Sequence, residues 1–267
     1  MNRSYPGSLL HEIRRIVSNS VFIAGQRIAN AFLQFILFLL LIHILSSQEM
    51  GIFELGRTCL EIGVGIVVPG LAILILREGS RNLNWWLHHS STIHSFLLFL
   101  SILVATVFFG LANLTDQNIV KALVTILFCA SIYFQSTCSA FESLLIARDQ
   151  VKWSMTVNVL CNLSVIGLAL LSIWLFPYPL VGVSFLLLVR WIVNHIIYNG
   201  RIQILVDAHP PAEIAPTSSM AHLFRDSWLL TLGSIFFILY ARFDTLMLEW
   251  IGNEESIALY SGAYRLI

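Results

Sequence analysis

Seven stretches of this 267-residue chain stay apolar for roughly the length a helix needs to cross a bilayer, about 20 residues. They cover 21–45, 52–76, 93–113, 119–146, 151–176, 180–198 and 228–251, and an eighth opens at 256–267. Lipid offers no hydrogen bonds to a backbone, so only helices and closed barrels can span it. Barrel strands are about ten residues long and alternate strictly, which these runs do not. The sequence therefore predicts an all-α, polytopic transmembrane helical bundle. Composition agrees: 11% of the residues are charged and 57% hydrophobic, where soluble domains carry about 25% charged residues. A net charge of zero argues against nucleic acid as a partner. Arg3, Arg14 and Arg15 ahead of the first run imitate a signal peptide, but the run is too long and no small-residue cleavage site follows it. It reads as a retained first span.

Basic residues set the orientation. With the N-terminus cytoplasmic, inside segments hold Arg3, Arg14, Arg15, Arg77, Arg81, Arg148, Lys152, Arg201 and Arg225, and outside segments hold only Lys121. Trp85, Trp86, Trp153, Trp174, Trp228 and Trp250 stand at run ends, as an interfacial belt requires, and Trp191 is the exception. The one long connection, 199–225, contains Pro210, Pro211 and Pro216. It divides the chain into a six-helix part (1–198), a cytoplasmic linker (199–225) and the start of a second part (226–267).

Charges inside the runs carry the functional signal. Arg27, Arg57, Arg190, Arg242 and Arg265 stand against Glu54, Glu61, Glu142 and Asp244. All facing lipid, they would cost on the order of 20–30 kcal/mol on an insertion scale, more than a fold holds in surplus. They must face partners or water. Offsets of three and four place Arg27, Asn30 and Gln34 on one face of the first run and Glu54, Arg57 and Glu61 on one face of the second. Gln135, Ser139 and Glu142 align in the fourth run, and Ser154, Asn158 and Asn162 in the fifth. Glu54–Arg57–Glu61 reads either as an ion-pair ladder joining helices or as part of a site. Arg27 and Arg242 have no acid at three or four residues, so they read as anion-binding groups, a guanidinium matching phosphate oxygens with two donors. Arg242 and Asp244, two residues apart, should point to different sides, with Asp244 meeting a neighbouring helix. Arg190 reads as a side chain reaching for the membrane surface.

Glu61, Glu142 and Asp244 are candidates for ion or proton coupling, beside the plainer reading as fixed partners of arginines. Pro69-Gly70 reads as a kink or hinge. His88 and His89 read as part of an interfacial loop, and His43, His94 and His195 as scattered over three runs. Cys59, Cys129, Cys138 and Cys161 all lie in apolar runs and read as packing residues. No set has metal-ligand or acyl-transfer spacing, so no cofactor is expected.

The stretch 239–248, Leu-Tyr-Ala-Arg-Phe-Asp-Thr-Leu-Met-Leu, and the restart at 258–267, Ala-Leu-Tyr-Ser-Gly-Ala-Tyr-Arg-Leu-Ile, carry a resemblance. They resemble the oligosaccharide flippases, the Wzx-type polysaccharide exporters of the MOP superfamily, which also holds the multidrug and toxin extruders and the lipid II flippases. There the seventh helix reads aromatic-x-Arg-Ile-Asp-x-x-Met-Leu and the eighth opens Tyr-x-x-Ala-Tyr-Arg-Leu. Tyr240, Arg242, Asp244, Met247, Leu248, Tyr260, Ala263, Tyr264, Arg265 and Leu266 fit, with Phe243 in place of Ile.

The resemblance implies two six-helix lobes facing a central cavity, of which this chain holds the first lobe, helix 7 and the start of helix 8. It implies alternating-access transport, not catalysis, of a polyprenyl-pyrophosphate-linked oligosaccharide across the cytoplasmic membrane, for surface polysaccharides such as lipopolysaccharide O-antigen. Expected partners are membrane lipids, that substrate, and polysaccharide polymerase and glycosyltransferases. The expected substrate residues are Arg27, Asn30, Arg57, Arg242 and Arg265. A drug or cation antiporter of the same superfamily is the alternative; it would want a cavity with excess acid and no arginine cluster, and five arginines against four acids lean slightly the other way. The family carries twelve to fourteen helices, so a chain ending at Ile267 reads as a fragment, a truncated product or a half that pairs, and a non-transporting remnant is a further alternative.

Overall fold

Two helices take the centre, and each begins with a cap written in the sequence. Ser46 and Glu49 form a capping box: Glu49 N donates to Ser46 Oγ at 3.3 Å, and Ser46 N to Glu49 Oε2 at 2.9 Å. They start α2 (Ser47–Val67). Asn118 Oδ1 accepts from Val120 N at 3.0 Å and starts α5 (Ile119–Ala147). The computed structural model describes residues 6–81, 83–115, 118–175, 178–207, 220–251 and 254–264, and every element there is an α-helix. The others are α1 (Pro6–Ile44), α3 (Pro69–Arg81), α4 (Leu83–Thr115), α6 (Val151–Leu175), α7 (Pro179–Asp207), α8 (Met220–Ile251) and α9 (Glu254–Tyr264).

Thirteen of the 21 residues of α2 are buried. α2 packs on α5, α8 and α9, and α5 packs on α2, α3, α4 and α7. α1 lies on α6, and α6 on α7. Between apolar helices in lipid no hydrophobic force favours contact, so close packing by small residues must supply it. Gly56 and Gly63 do so toward α5: a Cβ at Gly63 would stand 2.6 Å from Ile132 Cδ1, and one at Gly56 would enter the Phe128 ring. Gly65 does so toward Ile238 of α8.

The polarity is inverted relative to a soluble protein. Ile28, Phe32, Phe99, Ile102, Leu160, Phe236 and Phe237 are exposed, while Glu54, Asn162, Ser184 and Asn194 are buried. Among the described residues five helices are long and apolar enough to cross a membrane, and six if the bent pair α2–α3 is one span. α8, expected as a seventh crossing, has the length at 32 residues.

The bend between α2 and α3 measures 46° and falls at Val68–Pro69. Pro69 has no N–H to give, and its ring would strike the carbonyl one turn back. The change Pro69→Ala is expected to lengthen the distance between spin labels at Gln48 and Ser80, both exposed, by about 3 Å, given a rise of about 1.5 Å per residue. An unchanged distance would assign the bend to packing instead.

Two expectations are corrected. His88 and His89 are not in a loop: α4 begins at Leu83, and His89 Nδ1 is 2.7 Å from Trp85 O with its ring stacked on Trp85. His94 and His195 are not scattered: their centroids are 6.2 Å apart, beside Phe141. Helix also runs through the two ends of the expected linker, since α7 continues to Asp207 and α8 starts at Met220.

Candidate substrate cavity

The site is organised by Glu61. On α2 it stands one turn beyond Arg57, and Arg57 Nε donates to Glu61 Oε1 at 3.0 Å. Arg242 Nη2, from α8, pairs with Glu61 Oε2. The close approach of α8 at Gly65, one turn further along α2, makes that reach possible. Arg57 also donates from Nη2 to Gln34 Oε1 of α1 at 3.0 Å and has Glu54 Oε1 3.9 Å from Nη1. The ladder read in the sequence thus extends to two further helices. Arg57, Glu61 and Arg242 are 22%, 25% and 29% exposed, so all three remain reachable from a water-filled space.

Two open cavities meet at this group. The larger in total open space, about 730 Å³ with the solvent at its mouth included, lies between α1, α2, α5, α6 and α7, and its polar lining is Gln34, Arg57, Glu61, Gln135, Asn162 and Arg190. The second, about 590 Å³ on the same measure, lies between α2, α8 and α9 and is lined by Glu54, Arg57, Arg242, Asp244, Thr245 and Tyr260 among others. Arg57 lines both.

The expected site residues fall as follows. Arg57, Glu61, Arg242 and Asp244 come together. Asn30 Oδ1 accepts from Asn162 Nδ2 at 2.7 Å, and Asn162 Nδ2 also reaches Asn158 Oδ1 at 3.3 Å. Arg27 is exposed on α1 and lines neither cavity. Glu142 accepts from Gln26 Nε2 at 3.5 Å. Arg265 lies outside the described residues.

Three readings change. Arg242 does have an acid, supplied across helices by Glu61. Arg242 and Asp244 line one cavity rather than opposite sides, because the space between three helices is wide enough to take both. Asp244 meets the neighbouring helix as expected: it accepts from Tyr260 Oη of α9. Arg190 does not reach for the surface. Its Nη2 donates to Asn158 Oδ1 at 3.3 Å, it sits 4.2 Å over the Trp191 ring, and it lines the larger cavity. Trp191, the one tryptophan away from a run end, was the available signal for this, standing beside an arginine in mid-run.

A bundle of membrane-length helices around half-buried guanidinium groups has the build of a transporter. Residues 10–267 match the family described as "Polysaccharide biosynthesis protein", and the chain belongs to that family. No curated protein and no solved structure matches it. Family and helical architecture together point to a multi-pass membrane transporter of polysaccharide biosynthesis rather than to an enzyme.

Proposed function

We propose that the chain translocates a polyprenyl-pyrophosphate-linked oligosaccharide across the cytoplasmic membrane, as a Wzx-type member of the MOP superfamily. One observation carries the reading: two guanidinium groups from two helices converge on a single carboxylate at the wall between two cavities. A pyrophosphate brings at least two negative charges and several acceptor oxygens, so it competes with Glu61 for both arginines. The polyprenyl tail stays in lipid while the headgroup crosses. In this reading residues 1–198 form the first lobe with a cytoplasmic N-terminus, and α8 and α9 open the second. The Pro69 bend is a hinge for alternating access. Glu61 is the coupling carboxylate of this reading, since it alone holds both arginines, and Asp244 and Glu142 are secondary candidates.

Lining charges disfavour a cation antiporter. The larger cavity has Arg57 and Arg190 against Glu61 alone, the reverse of what a cationic drug needs.

The test compares two arginines in cells that depend on this chain for surface polysaccharide. Arg242→Ala is expected to lower it about 100-fold, the loss of a charge-assisted contact of about 1.5–3 kcal/mol at its upper end. Arg27→Ala, outside both cavities, should lower it less than about tenfold. Normal polysaccharide with Arg242→Ala present in the membrane at wild-type level overturns the reading.

A further inference from the structure

The larger cavity holds a cation that pyrophosphate binding at Arg57 and Arg242 does not use. Arg190 is half-buried on α7, and its Nε is buried with no hydrogen-bond partner in the protein. Among the described residues no carboxylate forms an ion pair with it. It sits 4.2 Å over the Trp191 ring and gives Nη2 to Asn158 Oδ1 at 3.3 Å, which leaves its other in-plane N–H groups for a ligand.

The same wall carries another unmet polar atom: Gln135 Oε1, which shares the cavity lining with Arg190, is buried without a partner. Ser136 Oγ and both amide atoms of Asn194, on α5 and α7 outside that lining, are also buried without partners. These residues belong to facing stretches of α5 and α7: Cys138 Sγ is 3.6 Å from Trp191 O, and Thr137 Oγ1 is 2.8 Å from His195 Nδ1. Each buried unmet polar group costs about 1–3 kcal/mol. An unmet acceptor beside a half-buried cation with no carboxylate partner among the described residues marks a place where an anion with hydroxyl neighbours would be welcome.

We infer that Arg190 is the centre of a second anion site, which takes the carboxylate of an acidic sugar. The inference rests on the proposed function and narrows it to oligosaccharides that contain a uronic-acid-type residue. The charge count selects the ligand class. With Arg57 engaged by the pyrophosphate, Arg190 is the remaining cation of this lining, and a single carboxylate matches its charge. Two carboxylate oxygens match the guanidinium edge. The amides of Gln135 and Asn162 supply donors and acceptors for ring hydroxyls.

The test is calorimetric titration of the full chain in lipid nanodiscs with glucuronate, glucose and inorganic pyrophosphate. Glucuronate is expected to bind at least about tenfold more tightly than glucose, a difference of about 1.4 kcal/mol. Arg190→Gln should remove that preference and leave pyrophosphate binding unchanged. Arg190→Lys keeps the charge without the fork, and should keep a reduced preference. It decides the matter if Arg190→Gln does not fold. Equal binding of glucuronate and glucose, or a preference untouched in both variants, overturns the inference. If pyrophosphate still binds in that case, the proposed function stands. Glucuronate binding without pyrophosphate binding leaves the Arg190 site and overturns the proposed function, and binding of neither overturns both.

Discussion

Arg57→Ala is expected to abolish surface polysaccharide and to reduce the amount of protein in the membrane. Arg57 serves Gln34, Glu54 and Glu61 at once. Its removal strips a buried Glu54 and a half-buried Glu61 of a cation, and breaking such a pair costs about 3–5 kcal/mol. It also changes the sign of the site. The larger cavity falls from one net positive lining charge to none, and the second from balance to one net negative. A pyrophosphate then meets repulsion where it met two forks. Arg57→Lys separates the two effects, because it retains the charge but cannot offer two parallel donors. Lysine at this position should leave the protein level near normal and lower transport about tenfold, the equivalent of about 1.4 kcal/mol. Transport that follows protein level in both variants would mean that Arg57 only holds the helices together.

Gly56→Val should give the largest loss of stability among the packing glycines. The ring that a side chain would enter belongs to Phe128, which is 2% exposed and packed edge-on against Phe53 at 5.5 Å between centroids. Neither ring has room to move, so overpacking of about 1–3 kcal/mol is expected at its upper end. Gly65→Ala is the contrast. Its Cβ would meet the flexible tip of the half-buried Ile238, which can turn aside, so the cost should stay below about 1 kcal/mol, the lower end of the same range. Thermal unfolding of the purified variants in one detergent checks the order. A Gly65 variant less stable than the Gly56 variant would place the critical contact at α8 instead of α5.

Much of this architecture is visible in the apolar runs. Each expected span coincides with a helix, or with the α2–α3 pair, because length and apolarity are local properties and lipid leaves the backbone no alternative. The break at Pro69 was equally local. Misreadings arose where polarity imitated a loop: His88 and His89 lie on α4, whose polar first turns continue an apolar helix. The ladder on α2 was legible because offsets of three and four fix a helix face. The Glu61–Arg242 pair was not, since it depends on how α8 settles against Gly65, and no periodicity encodes that register. Arg190 was misjudged for a related reason. Its direction is decided by Asn158 on a neighbouring helix and by the Trp191 ring, not by its own height in the span.

The central claim is that Arg57 and Arg242 receive a pyrophosphate headgroup in place of Glu61. Photo-crosslinking with a polyprenyl-pyrophosphate oligosaccharide carrying the reactive group next to the phosphates tests it most directly. The account predicts adducts on α2 and α8 around Arg57 and Arg242, lost when both are replaced by alanine. Adducts confined to the outward faces of α4 and α6, or unchanged in the double variant, would contradict it.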